Sequence, residues 1–501
     1  MKSTEDLPET VAAIDLGSNS FHMIVARIEE SGTLSIIDRL RDSVRLGEGL
    51  SNSGIISDEA QKRALQCLDT FAQRIRDLPR SAIRVAGTNT LRVANNARAF
   101  VKEAESILQH PIEIIDGREE ARLIYLGVAH GLATTSGKRL VVDIGGGSTE
   151  LIIGRGMNPQ RRESMYTGCV SASNRFFENG IITKATMQDA ITDASLILYP
   201  LARKFKSNHW HEAIGCAGTI KAIANIAMQE GWCADGITDN ALKQLRKKLV
   251  KAGHINELTL AGMSENRRPV IAGGVSVLSA VFNTLKIKHM RVSVESMREG
   301  LLYDLVGRIN HTDVRDATVE AALSRWGVDI NQSARVAETV EHLCDTVCQK
   351  WSIEDDQIKS LAKWAAQLHE IGLQVSHNNY HTHGAYILQN ADLPGFSHQE
   401  QALLSALVYC HRSKFRVEAF EQLMTPFIKP GVKLCILLRL AVLLHRGRND
   451  LAVPEIDITI KGKKIDLRFP TNWLDQNGMT LADLIKEINY LDNAGYKLTF
   501  E

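Results

Sequence analysis

VAAIDLGSNSFHMIVARI, residues 11 to 28, and LVVDIGGGSTELIIG, residues 140 to 154, decide the fold. Asp15, Leu16, Gly17 and Ser20 of the first stretch correspond to Asp143, Ile144, Gly145 and Ser148 of the second, 128 residues later. Each sits between apolar, β-rich runs and reads as strand, tight turn, strand. The turn chemistry occurs twice: an Asp ending a buried strand, small residues whose N–H groups can face an anion, then a hydroxyl. Either turn alone is an ordinary hairpin. Their duplication makes them a pair of phosphate-binding loops. A carboxylate is poorly placed to touch phosphate directly, so Asp15 and Asp143 are expected to hold a divalent cation between the loops.

Outward from the repeat, IRVAGTNTLR (residues 83–92) and PIEIIDG (111–117) read as strands, and EEARLIYLGVAHGL as a helix starting near Glu119. HEAIGCAGTIKAIANIAM and SVESMREGLLYDLV each resemble a glycine-bearing turn opening into a helix. This alternation is that of an α/β protein. Two related α/β domains with a cleft between them are the simplest way to face one loop toward the other.

At 501 residues the chain is long enough for three or four domains. Its 59 basic and 58 acidic side chains leave a formal charge of +1, too little for a global field toward nucleic acid or membrane. Hydrophobic residues at 44% and charged residues at 23% are ordinary globular usage. The acidic, polar start MKSTEDLPET lacks the pattern of a secretory signal, and the apolar run 434–444 contains Arg439 and is too short for a membrane span. The eight scattered cysteines form no CxxC pair and read as reduced thiols. A cytoplasmic protein is expected, with peripheral membrane association the alternative.

DLGSNSFHM, GTNTLR, EEARLIYLGV, DIGGGSTEL, GCAGTIKA and MREGLLYDL occur in this order, followed by the late HEIG and AYILQNADLPGF segments. Together they resemble the exopolyphosphatase and guanosine pentaphosphate phosphohydrolase family of the actin-like ATPase superfamily. The resemblance implies two actin-like (ribonuclease H-like) α/β domains over residues 1–124 and 125–308. An HD-like all-α domain over 309–450 and a small α+β domain over 451–501 follow. It implies Glu120 of the EEAR motif as the base that activates water, with Glu119 beside it open to confusion. Asp143, Glu150 and Asp15 become the metal ligands, with Mg2+ the expected ion. Gly17, Ser18, Asn19, Ser20, Arg92, Gly145, Gly146, Gly147, Ser148, Gly218 and Thr219 become the phosphate-binding set, joined by Arg45 and by Lys221 as a counter-charge. The implied reaction removes terminal orthophosphate from polyphosphate, or the 5′-terminal phosphate from guanosine pentaphosphate. The GGGST form of the second loop places the chain closer to the exopolyphosphatases. A homodimer is also implied.

From about Val306 the pattern turns helical, and nine of the sixteen histidines lie from His311 onward. HD phosphohydrolases need a His-Asp pair and a later Asp. Here the pair is His369-Glu370 and the later region carries Arg439, so the metal set is incomplete and a structural domain is expected. Lys243, Lys247 and Lys251, opposite Leu242, Leu245 and Leu249, form either a solvated helix face or a lane guiding a polyanion. Two other classes are a phosphotransferase of the same superfamily and an alarmone sensor. Glu120, Asp143 and Glu150 together argue against the sensor, because binding alone requires no base.

Overall fold

The computed structural model describes residues 8–501 except 30–33, 52, 133–136, 311, 425, 449–452 and 455. His311 and the expected boundary at 450/451 therefore lie outside the described residues. The chain forms two compact units, Met1–Asp313 and Val314–Glu501, divided between helices Met297–Ile309 and Val314–Arg325.

Unit one is α/β and built on the repeat. Strands β1 (Thr10–Leu16), β2 (Phe21–Ile28), β3 (Leu34–Asp42), β4 (Ile83–Gly87) and β5 (Glu113–Ile114) form a sheet of order β3-β2-β1-β4-β5. The second sheet contains β6 (Lys138–Ile144), β7 (Thr149–Arg155), β8 (Asn158–Met165), β9 (Glu212–Cys216), β10 (Ile237–Thr238) and β11 (His289–Val292). Its order is β8-β7-β6-β9-β11-β10, so the first five strands repeat the topology of the first sheet. The register repeats too: Asp15 pairs with His22 across the first hairpin, and Asp143 with Glu150 across the second.

Helix Gly117–Gly131 starts where the Asp116 carboxylate accepts from the N–H groups of Arg118 and Glu119 at 2.6 and 2.9 Å. The helix is continuous across the expected 124/125 boundary. It crosses Met297–Ile309 so closely that a Cβ on Gly127 or Gly300 would collide with the other helix's backbone. Residues of both repeats and both helices share one apolar cluster, among them Val11, Ile24, Tyr125, Val141 and Leu301. Glu265–Leu285 is apolar and long enough to cross a membrane by length and composition, and most of it is buried inside this unit.

Asp304 on Met297–Ile309 forms a buried ionic node with Arg84 of β4, Arg122 of the Gly117 helix and Arg308. Arg84 also pairs with Glu113 of β5 at 2.9 Å, and Arg122 with Glu119 at 2.8 Å. Burial alone would raise the Asp304 carboxyl, but Arg122, Arg84 and Arg308 hold it well below the usual carboxylate range.

In unit two, helices including Ile330–Trp351, Asp356–Leu368, His398–Cys410 and Ile428–Leu444 surround one apolar core. The hairpin β12 (Asp457–Lys461) and β13 (Lys464–Arg468), with β14 (Lys497–Phe500) parallel to β13, adds Ile458, Ile465, Leu467 and Leu498 to that same core. The strands expected as a separate terminal domain thus share their apolar interior with the helices. Arg439 is buried and paired with Glu487 of Gly478–Asn493. His369 and His411 each bond a backbone carbonyl through Nδ1 at 2.6 Å, and Glu370 pairs with Arg448.

Removing one member of a buried charge set leaves its partners unpaired. Asp304→Ala is expected to destabilise the protein by about 3–5 kcal/mol, read as a lower urea midpoint for unit one. An unchanged midpoint would contradict the role given to the node.

Candidate functional site

The two repeat loops meet in a cleft of about 390 Å3. A Cβ built on Gly146 would lie 3.0 Å from the Ser18 Cβ, a spacing that favours glycine where the loops approach. Carbonyls of both loops are engaged by backbone donors. Ser18 O accepts from Gly47 N at 2.7 Å and Asn19 O from Arg45 N at 2.9 Å. Gly145 O accepts from Cys169 N at 2.9 Å, and Gly146 O from Val170 N at 2.8 Å. Two separate segments therefore engage carbonyl oxygens that would repel a phosphate.

Of the residues singled out from sequence, Asp15, Gly17, Ser18, Asn19, Ser20, Glu120, Asp143, Gly145, Gly146, Ser148, Gly218, Thr219 and Lys221 line the cleft. Gly147, Glu150 and Arg92 do not. Gly147 packs against Asn89. Glu150 is buried behind the loop, where Ser164 donates to it at 2.7 Å. Arg92, expected on phosphate, turns toward the start of the Gly117 helix: Nη1 donates to Ile115 O at 2.6 Å, and the guanidinium lies 3.4 Å from Glu120 Oε2. Arg45 holds the first loop through its backbone, while its side chain lies in a neighbouring pocket.

The geometry separates the two adjacent glutamates. Glu119 is bonded to Arg122 through both oxygens, whereas Glu120 lines the cleft beside Asp15 and Asp143. Burial raises Glu120 to about 7, aided by Asp143 and Asp116 and opposed by Arg92. Asp15 is pushed up to about 8, first by burial and then by Glu120. Glu150 is likewise raised by burial, Glu120 and Asp143. Asp143 is raised by burial, while Cys216 and Ser296, at 3.3 and 3.2 Å from its Oδ2, pull it back.

Besides these acids, Arg39, Arg41, Lys221, Arg267 and Arg298 line the cleft with His22. Arg39 and Arg298 pair with Glu299, but Arg41 and Arg267 have no ion-pair partner among the described residues. Arg267 lies over Gly218. His22 is pushed down to about 3, first by burial and then by Arg298, Arg41, Arg267 and Lys221, so its ring is neutral. Of this set, sequence reading found Lys221 and missed Arg39, Arg41, Arg267, Arg298 and His22. The repeat itself could have found His22, whose counterpart at the same register is Glu150. Arg298 lies inside the quoted MREGLL motif, whereas nothing local distinguished Arg41 or Arg267. Ala217, on the cleft wall at the start of Ala217–Gln229, has a left-handed φ of 59°, the kind of local strain that gathers at functional sites.

A divalent cation fits these residues. Asp15 Oδ1 is buried without a hydrogen-bond partner, and the carboxylates around it disfavour one another's ionisation. Among the described residues no three His, Cys, Asp or Glu side chains converge on one ion. The ion would then touch one or two protein oxygens and complete its shell with water and phosphate, as Mg2+ commonly does.

Unfolded carboxylates titrate near pH ~4, whereas Glu120 and Asp15 titrate at about 7 and about 8 in the folded chain. The folded state therefore holds extra protons in this window, and their contribution to stability is lost as pH rises through 7 and 8. A cation competes with those protons. The rise in Tm on adding saturating MgCl2 should be larger at pH 8 than near pH 5.5; equal shifts would exclude these carboxylates as the cation's seat.

Residues 24–309 match the Ppx/GppA phosphatase family, and residues 314–488 match domain III of that family. A guanosine-5′-triphosphate,3′-diphosphate pyrophosphatase of Pseudoalteromonas translucida is 37% identical over 487 residues, covering 97% of each chain. Its namesake from Vibrio vulnificus is 37% identical over 490 residues, covering 98% of each. A solved exopolyphosphatase from Cytophaga hutchinsonii superposes with a TM-score of 0.55 at 26% identity, over 61% of this chain and 99% of its own. With one family spanning both units and full-length relatives at this identity, the chain belongs to the Ppx/GppA phosphatases.

Proposed function

We propose that the protein is a divalent-cation-dependent phosphohydrolase that removes the 5′-terminal phosphate of guanosine pentaphosphate, with terminal phosphates of inorganic polyphosphate as its second substrate. Phosphoanhydride hydrolysis is the chemistry of the family. One observation carries the mechanism: Glu120 is buried, ionises near neutral pH and faces both phosphate loops. The order of the two substrates rests on the relatives matched along their whole length, which are named for the pentaphosphate. The second substrate rests on the structural likeness to an exopolyphosphatase.

In this reading, the terminal phosphate lies between the turns of residues 17–20 and 145–148, where backbone N–H groups and the hydroxyls of Ser18, Ser20 and Ser148 donate to its oxygens. Glu120 takes a proton from water as its oxygen attacks the terminal phosphorus. The bond to the bridging oxygen breaks, and the shortened anhydride leaves with that oxygen. Arg92 orients Glu120 from behind. Asp143 and Asp15 are the groups that would hold Mg2+, while Glu150, expected with them, is paired with Asp143 across the hairpin and buried behind the second loop. When bound, the ion neutralises charge on the phosphate oxygens. Cys216 and Ser296 fix the Asp143 carboxylate. Gly218, Thr219 and Lys221 receive the next phosphates.

The duplicated sheets belong in this proposal to two actin-like domains, with the helical unit HD-like and structural and its terminal strands a small α+β addition. A homodimer and a cytoplasmic location complete it.

A positioned general base contributes about 10²–10⁴ in rate. Glu120→Gln should lower kcat for phosphate release by that factor with its Tm preserved, while Glu119→Gln should lose stability because Arg122 is left half-paired. Near-normal turnover by folded Glu120→Gln would overturn the assignment.

A further inference from the structure

The cleft opens beside a second chamber of about 600 Å3, and Arg41 lines both. Arg45, Arg63 and Asn266 line the chamber with Asp42 and Glu48. Its floor is tied to the first phosphate loop, since Arg45 N and Gly47 N donate to Asn19 O and Ser18 O. Asn266 directly precedes Arg267, whose guanidinium lies over Gly218 in the cleft. Arg267 thus lines the cleft, Arg41 lines both spaces and Arg63 lines the chamber.

These cations are incompletely compensated. Burial lowers Arg41, and the charges of Arg267 and Arg298 lower it further, so like charges are crowded at the junction. Arg63 spends its Nε on the Val44 carbonyl at 3.1 Å, which fixes the side chain and leaves both Nη groups for another acceptor. Arg45 and Glu48 are 3.8 Å apart with both side chains substantially exposed, a pair of little energetic consequence. Guanidinium forks held in this way suit phosphate oxygens.

We infer that this chamber is a second phosphate subsite, which holds phosphate groups remote from the one attacked beside Glu120. The inference rests on the phosphohydrolase reading and extends it. Two substrates carry such groups: linear polyphosphate in its distal units, and guanosine pentaphosphate in its 3′-diphosphate. Tripolyphosphate is the short reference substrate.

Phosphate release from tripolyphosphate, long-chain polyphosphate and guanosine pentaphosphate would be followed for the full-length wild type, Arg63→Ala and Arg63→Lys. The quantity read is KM for each larger substrate divided by KM for tripolyphosphate. Arg63→Ala should raise this ratio at least five-fold for one or both larger substrates, and the affected arm identifies the source of the bound phosphate. Arg63→Lys, which keeps the charge, should recover part of the loss. A change below five-fold in both arms overturns the subsite. Wild-type protein that releases phosphate from none of the three overturns the underlying reading, a distinguishable result. If Arg63→Ala melts below the assay temperature, Arg45→Ala, which keeps the backbone bond to Asn19, is judged by the same ratio and threshold.

Discussion

Asp304 is the point through which the catalytic unit is held together. Its carboxylate gathers Arg84 from the first sheet, Arg122 from the helix between the repeats and Arg308 from its own helix. Arg122 then fixes Glu119, and the next residue along the backbone, Glu120, is carried into the cleft. A charge removed from water must be matched by charge and hydrogen bonds. That requirement ties the position of Glu120 to the packing of helix Met297–Ile309, which otherwise contacts the Gly117 helix through close glycine crossings.

The site repeats this physics with the opposite balance. Asp304 has three arginines, but Asp15, Glu120, Asp143 and Glu150 are buried near one another with few cations, and burial and mutual repulsion raise them. Elsewhere on the cleft wall, His22 and Arg41 are lowered by burial and by their cationic neighbours, and Arg267 by burial. Neither side is relaxed by itself. In the function proposed above, a phosphate chain with a divalent cation would supply charges of the missing sign to both.

Much of this was legible in the sequence because it rests on local pattern. The duplicated Asp-aliphatic-Gly-x-x-Ser turn fixed the hairpins, and the repeated strand order followed from it. Contacts distant in sequence were not legible. Nothing near Arg92 indicates that it turns from phosphate to Glu120, and nothing near Glu119 reveals Arg122 and Asp304 as its partners. Arg41 and Arg267 lie outside recognisable motifs, and only the folded chain makes them neighbours. The terminal strands alternated as expected, yet alternation does not state which core they join, and they join that of the helices.

The register shared by His22 and Glu150 has one more consequence. Two copies of one hairpin face each other, but at this position one copy carries an acid and the other a neutral imidazole among guanidinium groups. The pseudosymmetry of the backbone is thus broken in its electrostatics at equivalent positions, with His22 on the cleft wall and Glu150 buried behind the second loop.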